Sequence, residues 1–367
     1  MPMCLKKIVV FISAKLSGKL KHKTMKFLKI SGLFALLVVF SLACGGCGED
    51  KPPIDETVDV VTKPKVKVPA FNKDTAYAFV QKQVAFGSRV LGSKAHDDCR
   101  DWMIDKLKSY GASVISQDFE AVVYTGEKFP ASNIIASFNP ENEERIILAA
   151  HWDSRHVADS PLSKKDKNTP ILGADDGGSG VGVLLEMARQ FHISAPTVGI
   201  DIILFDAEDY GEHTEGEQTR EEQEATQATW ALGSQYWAKN FTGNKPKYGI
   251  LLDMVGGKNA RFPKEGYSMQ AAPGLVNEVW RTAAQMGYGH YFENVQGGGI
   301  TDDHFFVMKY AQIPMIDIIH LPAQTGNGSF PNHWHTHNDN MDAIDARTLR
   351  AVGQVMLAVV YRDEVGI

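Results

Sequence analysis

The stretch from Val198 to Phe205 is almost entirely apolar, with Asp201 as its only charge. A strand with one wet face alternates polar and apolar residues, whereas one covered on both faces reads as a continuous hydrophobic run. This segment therefore predicts a central strand of a sheet sandwiched between helices. The surrounding pattern agrees. Asn72 and Asp74 can cap a helix running to about Phe86, and Ser93 to Tyr110 sets Trp102, Met103, Ile104, Leu107 and Tyr110 on one face before Gly111 ends it. Strand patterns follow at 113–124, 131–138 and 145–151, then a helix at 181–192 and the central strand. A helix near 230–241, a strand at 248–255, a helix at 274–287, a strand at 313–319 and a helix from about Ile344 to Arg362 complete the series. The expected fold is α/β, with a mixed, mainly parallel central sheet and helices on both faces.

The ends of the chain read differently. Residues 1–43 carry eight Lys and no acid, and Ile30 to Leu42 is an apolar run of signal-peptide length that ends at Ala43-Cys44. That region reads as a leader with a lipoprotein signal, translation starting at Met25 and Cys44 carrying the lipid, with an ordinary signal peptide cut nearby or an uncleaved anchor as the alternatives. Residues 44–69 read as a lipid anchor and extended spacer, and residues 70–367 as one α/β domain. Outside the leader, 30 basic residues face 44 acidic ones. So acidic a body, with no basic stripe, excludes nucleic acid as the expected partner. Cys99 is the one cysteine of the folded part, so a disulfide framework is excluded too. The expected location is the bacterial cell envelope, facing the periplasm and held to a membrane, with the protein a monomer. Tyr210 to Ala228, rich in Glu and Gln, reads as a solvated insertion beside the site described next, with a rim or gating role left open.

Five motifs fall where the strands should end, the place where open α/β sheets put their ligands. They are His151-Trp152-Asp153-Ser154, the glycine-rich run from Gly173 to Gly180, Phe205-Asp206-Ala207-Glu208-Asp209, the run from Leu251 to Gly256, and His333-Trp334-His335-Thr336. Each supplies a His or a carboxylate. Imidazole nitrogen and carboxylate oxygen are zinc ligands, and a catalytic site keeps one position open. The adjacent acids Glu208 and Asp209 allow one carboxylate to bind metal while the other moves protons.

The same motifs in the same order resemble the zinc aminopeptidase superfamily and, within it, the animal-type glutaminyl cyclases and their bacterial relatives. The resemblance spans about Phe71 to Arg362. Three features tilt it toward the cyclases: His151 to Arg155, Thr301-Asp302-Asp303-His304, and Phe330-Pro331 followed by Trp334-His335-Thr336. It implies one zinc ion held by Asp176, Asp209 and His335, with Glu208 as proton shuttle. Asp253 and Asp302, hydrogen-bonded to each other, become supporting acids, and Trp334, Phe330 and Trp230 the pocket walls. The implied substrates are peptides or secreted proteins with N-terminal glutamine, cyclised to pyroglutamate with release of ammonia. Two departures stand out, Asp209 where animal cyclases have Glu and Asp317 where they have His. His151 and Asp253 also match ligands for a second zinc, which leaves a two-zinc aminopeptidase as the alternative. A non-catalytic peptide binder would predict a broken ligand set. His333, His337 and His320 read as surface or supporting residues, and Met254, Trp280 and Met308 as core.

Overall fold

The structure is a computed structural model that describes residues 67–363 except Glu215, Glu217 and Ser329. The leader, Cys44 and most of the spacer lie outside the described residues. The elements, in chain order, are α1 (Lys73–Phe86), α2 (Lys94–Ser109), β1 (Ser113–Val122), β2 (Lys128–Phe138), β3 (Arg145–His151), α3 (Gly178–Ile193) and β4 (Gly199–Phe205). After these come α4 (Arg220–Gln227), α5 (Leu232–Lys239), β5 (Gly249–Asp253), β6 (Phe262–Lys264), α6 (Gly266–Ala271), α7 (Pro273–Gln285) and β7 (Phe292–Gln296). The chain closes with α8 (Asp303–Phe306), a π turn (Val307–Ala311), β8 (Met315–Ile319), a 3-10 turn (Met341–Ala343) and α9 (Ala346–Asp363).

The helix starts follow from the predicted caps. The Asn72 side chain accepts from the Asp74 and Thr75 amides at the head of α1, and Ser93 accepts from the His96 amide at the head of α2. Six strands form one sheet in the order β1-β2-β4-β3-β5-β8. β4, β3, β5 and β8 run parallel, while β2 is antiparallel to both β1 and β4. The sheet is thus mixed, with its parallel half carrying the predicted motifs.

Alternate residues of the central strands enter two different cores, as the pleat requires. Ile146, Leu148 and Ala150 of β3 pack with Ile202, Leu204 and Leu252 beneath α1, α3 and α9. Ile147, Ala149, Ile203 and Leu251 face the other way, against Trp237 of α5 and Val307. Because β3 is followed by β4 on one side and β5 lies on its other side, the strand order reverses at β3, the position where such sheets open a ligand crevice. His151, Phe205, Asp253 and Ile319 are the last residues of the four parallel strands. Helix α3 sits unusually close to them. A Cβ on Gly180 would lie 2.2 Å from the Leu252 carbonyl oxygen, so only glycine allows this approach.

Past its buried first residues, Tyr210 and Gly211, the described part of the acidic insertion is at least partly exposed, as its composition predicts, but it is not all loop. Thr219 and Glu222 form a capping box that starts α4, whose eight residues are all at least partly exposed. Also unpredicted are the small parallel pair β6 and β7 and the short helix α6. Among the described residues, no helix is long and apolar enough to cross a membrane.

Candidate active site

The turn after β4 is built so that two adjacent acids point into one crevice. Ala207 takes a left-handed conformation, φ 55°, and the Asp153 carboxylate accepts the backbone N–H of Glu208 at 3.1 Å and of Asp209 at 3.0 Å. One side chain from the end of β3 thereby fixes the turn at the end of β4. The glycine-rich turn before α3 uses the same device. The Asp339 carboxylate accepts the N–H groups of Asp175 at 2.7 Å and Asp176 at 3.1 Å, and Gly177 turns the chain at φ 77°. Asp175 itself faces away, accepting from Gly256 and pairing with His333 at 2.7 Å. That leaves Asp176 as the inward-facing acid of the pair.

Two buried triads share Asp176. One is Asp176, Asp209 and His335, the other His151, Asp176 and Asp253. His335 Nε2 stands 3.1 Å from Asp209 Oδ1 and 3.7 Å from Asp176 Oδ2, while His151 Nε2 stands 3.0 Å from Asp176 Oδ1 and 3.4 Å from Asp253 Oδ1. Asp176 Oδ2, both Asp209 oxygens, Asp253 Oδ1 and His151 Nε2 are buried with no hydrogen-bond partner among the described residues. Orphaned acceptors converging at such depth fit a bound cation, and the nitrogen and oxygen donors suit zinc. His335 also has the outer support that metal-binding imidazoles show. Its Nδ1 lies 2.9 Å from Asp159 Oδ1, which leaves Nε2 turned toward Asp209 and Asp176.

These groups open into a cavity of roughly 300 Å3 lined by Asp176, Glu208, Asp209, Asp253, Asp302 and His335. Trp334 stacks on the His335 ring at 3.6 Å, and Phe330 stacks on Trp334 at 4.5 Å. Trp230 completes the wall, its ring 6.1 Å from His335 and covered by the Arg155 guanidinium at 4.6 Å. All of the predicted cavity residues therefore converge, with His151 buried just behind them. The insertion reaches the mouth through His213, Thr226 and Gln227, and Gln227 donates to the Thr301 hydroxyl at 3.0 Å. Its end is thus part of the rim.

Burial pushes the Glu208 carboxyl well above the usual range, and Asp302, Asp209 and Asp303 add to the effect while His151 opposes it. Asp253 is raised well above its ordinary value chiefly by burial as well. One expected contact is not made. Asp302 accepts from the Asp303 amide, its other oxygen has no partner among the described residues, and no hydrogen bond joins it to Asp253. Asp317, in the place of the expected His, lies instead in a buried group with Asp302 and His304. His333 supports Asp175, His320 is buried 6.2 Å from the His333 ring, and His337 is exposed. Trp280 and Met254 are buried as core, and Met308 is partly buried against the second core. Sequence reasoning gave no role to Asp153, Asp159 or Asp339. The acid two places after His151 was a visible signal for the first of them.

Residues 133–360 match the model of peptidase family M28, and the chain belongs to that family. Within it, the chain is similar to glutaminyl-peptide cyclotransferases. It is 24% identical to the Drosophila melanogaster glutaminyl-peptide cyclotransferase over 71% of this chain and 73% of that protein. It spans only 31% of the length of another curated relative. Among solved structures, the Bacteroides thetaiotaomicron glutaminyl cyclase bound to N-acetylhistamine superposes with a TM-score of 0.76 at 47% identity, covering 80% of this chain and 99% of that one. A Zn-dependent exopeptidase from Parabacteroides distasonis gives a TM-score of 0.75 at 50% identity, with 80% and 99% covered.

Proposed function

We propose that this chain is a zinc-dependent glutaminyl-peptide cyclotransferase, converting the N-terminal glutamine of peptides or secreted proteins to pyroglutamate with loss of ammonia. The observation that carries the reading is a single cavity in which the triad Asp176, Asp209 and His335, the buried acid Glu208, and the aromatic walls meet. Bound by that triad, zinc would act as a Lewis acid toward the γ-carboxamide oxygen. The chain's own residues do the rest. Trp334, Phe330 and Trp230 hold the apolar stem of the glutamine and keep water out. Glu208 takes a proton from the α-amine as that nitrogen bonds to the carboxamide carbon. It returns the proton to the amide nitrogen as the carbon–nitrogen bond breaks and ammonia leaves. One bond forms and one breaks, so no external nucleophile is needed, and holding amine and amide together supplies the advantage of proximity. Asp302 and Asp253 line the cavity beside Glu208, and the charge of Asp302, with Asp209 and Asp303, favours its protonated form between the two transfers.

We infer one ion, held by Asp176, Asp209 and His335; the second triad, His151, Asp176 and Asp253, makes a two-ion site the alternative, which zinc counted per chain decides. The leader and Cys44 support a lipid-anchored protein facing the periplasm, which a Cys44→Ser variant would release from membranes.

The test is to incubate the purified full chain, loaded with zinc, with a glutaminyl and a leucyl peptide and follow both by mass spectrometry. Loss of ammonia from the first with the second intact is expected. Glu208→Gln should lower kcat by about 10²- to 10⁴-fold with metal content unchanged. A leucyl peptide shortened by one residue, with two zinc ions per chain, would overturn the reading in favour of a peptidase.

A further inference from the structure

A second cavity of about 250 Å3 lies beside the catalytic one, and Ile300 lines both. Three stretches of chain run from the first into the second. Gly299 faces the catalytic cavity and Gly298 its neighbour; Ile319 and Leu321 divide in the same way, as do Phe330 and Gly328. The two spaces are therefore neighbours with Ile300 in the wall of each. The lining of the second is only slightly more apolar than polar, its apolar part including Pro263, Val295, Leu321 and Pro322. Its only acid, Glu293, is engaged by Arg261 at 3.3 Å. Val295 is 54% exposed, an uncovered apolar side chain beside a functional opening.

The backbone between the compartments is both fixed and available. Gly297 donates to the Lys264 carbonyl, the Gly298 carbonyl accepts from Gly266, and Ile300 donates to the Glu265 carboxylate at 2.9 Å. The N–H groups of Gly298 and Gly299 and the Gly299 carbonyl make no hydrogen bond among the described residues. Anchored backbone with unpaired donors and acceptors is what an extended peptide pairs with. A Cβ at Gly298 would meet nothing within 4 Å, so nothing in the packing blocks this floor.

We propose that a substrate peptide leaves the catalytic cavity over Ile300, its second residue crossing that side chain and its third placing an apolar side chain in the neighbouring compartment. An extended chain advances roughly 3.3–3.6 Å per residue, which places the third residue about 7 Å beyond the first. The inference rests on the cyclase reading and names its substrate class: peptides with N-terminal glutamine and an apolar third residue. The other route out runs past His213, Thr226 and Gln227, a polar rim with no compartment for such a side chain.

The experiment compares kcat/KM of the full chain on Gln-Ala-Xaa-Ala amides with Leu, Ala or Asp as Xaa, and on glutaminamide. Leu should exceed Ala by about tenfold, the scale on which an apolar pocket discriminates, with Asp poorest. Val295→Asp and Gly298→Leu should each bring the Leu-to-Ala ratio close to one. Both sites are exposed, and because the readout is a ratio, a loss of folded protein does not move it. Equal rates for all three peptides would overturn the proposal. So would a Leu preference that survives both substitutions but is lost in Gln227→Ala. Failure to cyclise even glutaminamide would strike the cyclase reading itself and not the subsite.

Discussion

Glu265 joins the stability of this fold to the shape of its site. It is fully buried and caps α6, accepting from the Tyr267 and Ser268 amides at 2.8 and 2.6 Å and from the Ser268 hydroxyl at 2.6 Å. The same carboxylate holds the Ile300 amide at 2.9 Å and His304 Nε2 at 3.1 Å. Burial alone would raise its pKa; His304 and Ser268 outweigh that and bring it from 4.5 down to about 2. A folded value below the unfolded one means that the charged form stabilises the fold. That contribution is whole above about pH 4.5 and is lost as pH falls toward 2. At 1.36 kcal/mol per unit, the charge contributes about 3 kcal/mol at neutral pH. Glu265→Gln imitates the protonated acid and should lower the unfolding free energy by that amount at pH 7, measured by urea unfolding followed through tryptophan fluorescence. Between pH 7 and pH 4 the gap between wild type and variant should narrow by about 0.8 kcal/mol, the fraction of the linkage spent over that interval. A gap below about 1 kcal/mol at pH 7, or one that does not change with pH, would refute the assignment of an ionised, fully engaged carboxylate.

Asp159→Asn leaves the proposed metal ligands in place but weakens the group that orients His335, so zinc affinity should fall about 10- to 100-fold in competition with a chelator. Gly180→Ala forces a methyl group against the Leu252 carbonyl and the Ala150 side chain, and should shift the urea midpoint by an amount equivalent to about 1–3 kcal/mol or more.

Long, strongly patterned segments were legible in the sequence because their own residues decide their structure. Asn72 and Ser93 start their helices as predicted, and the unbroken apolar run now seen as β4 is buried on both faces save for Asp201. The largely covered Asp201 carboxylate is compensated by Arg145 at 2.6 Å, a contact between neighbouring strands that no local pattern announces. Short elements were less readable. β6 has three residues, one of them Pro263, and forms only because β7 lies alongside it. Within the acidic insertion, the Thr219 and Glu222 capping box was a usable sign of α4 that the charge run obscured.

The site divides along the same line. Asp176, Glu208, Asp209, Asp253 and His335 were legible as a set because the carboxyl ends of parallel strands converge, so motifs at successive strand ends must meet. The acids that position them were not. Asp159 and His335 are 176 residues apart, and Asp339 reaches back 163 residues to the Asp176 amide. Nothing near either acid in the chain marks it, since an Asp in a polar loop is ordinarily a solvated turn residue. Their roles follow from burial, which forces each carboxylate to find donors. The nearest unpaired donors lie on the turns and the imidazole that present the proposed metal ligands. Sequence thus exposes the groups that do chemistry, whose neighbours are fixed by strand order, while those that aim them emerge only when the fold is closed and every buried charge must be answered.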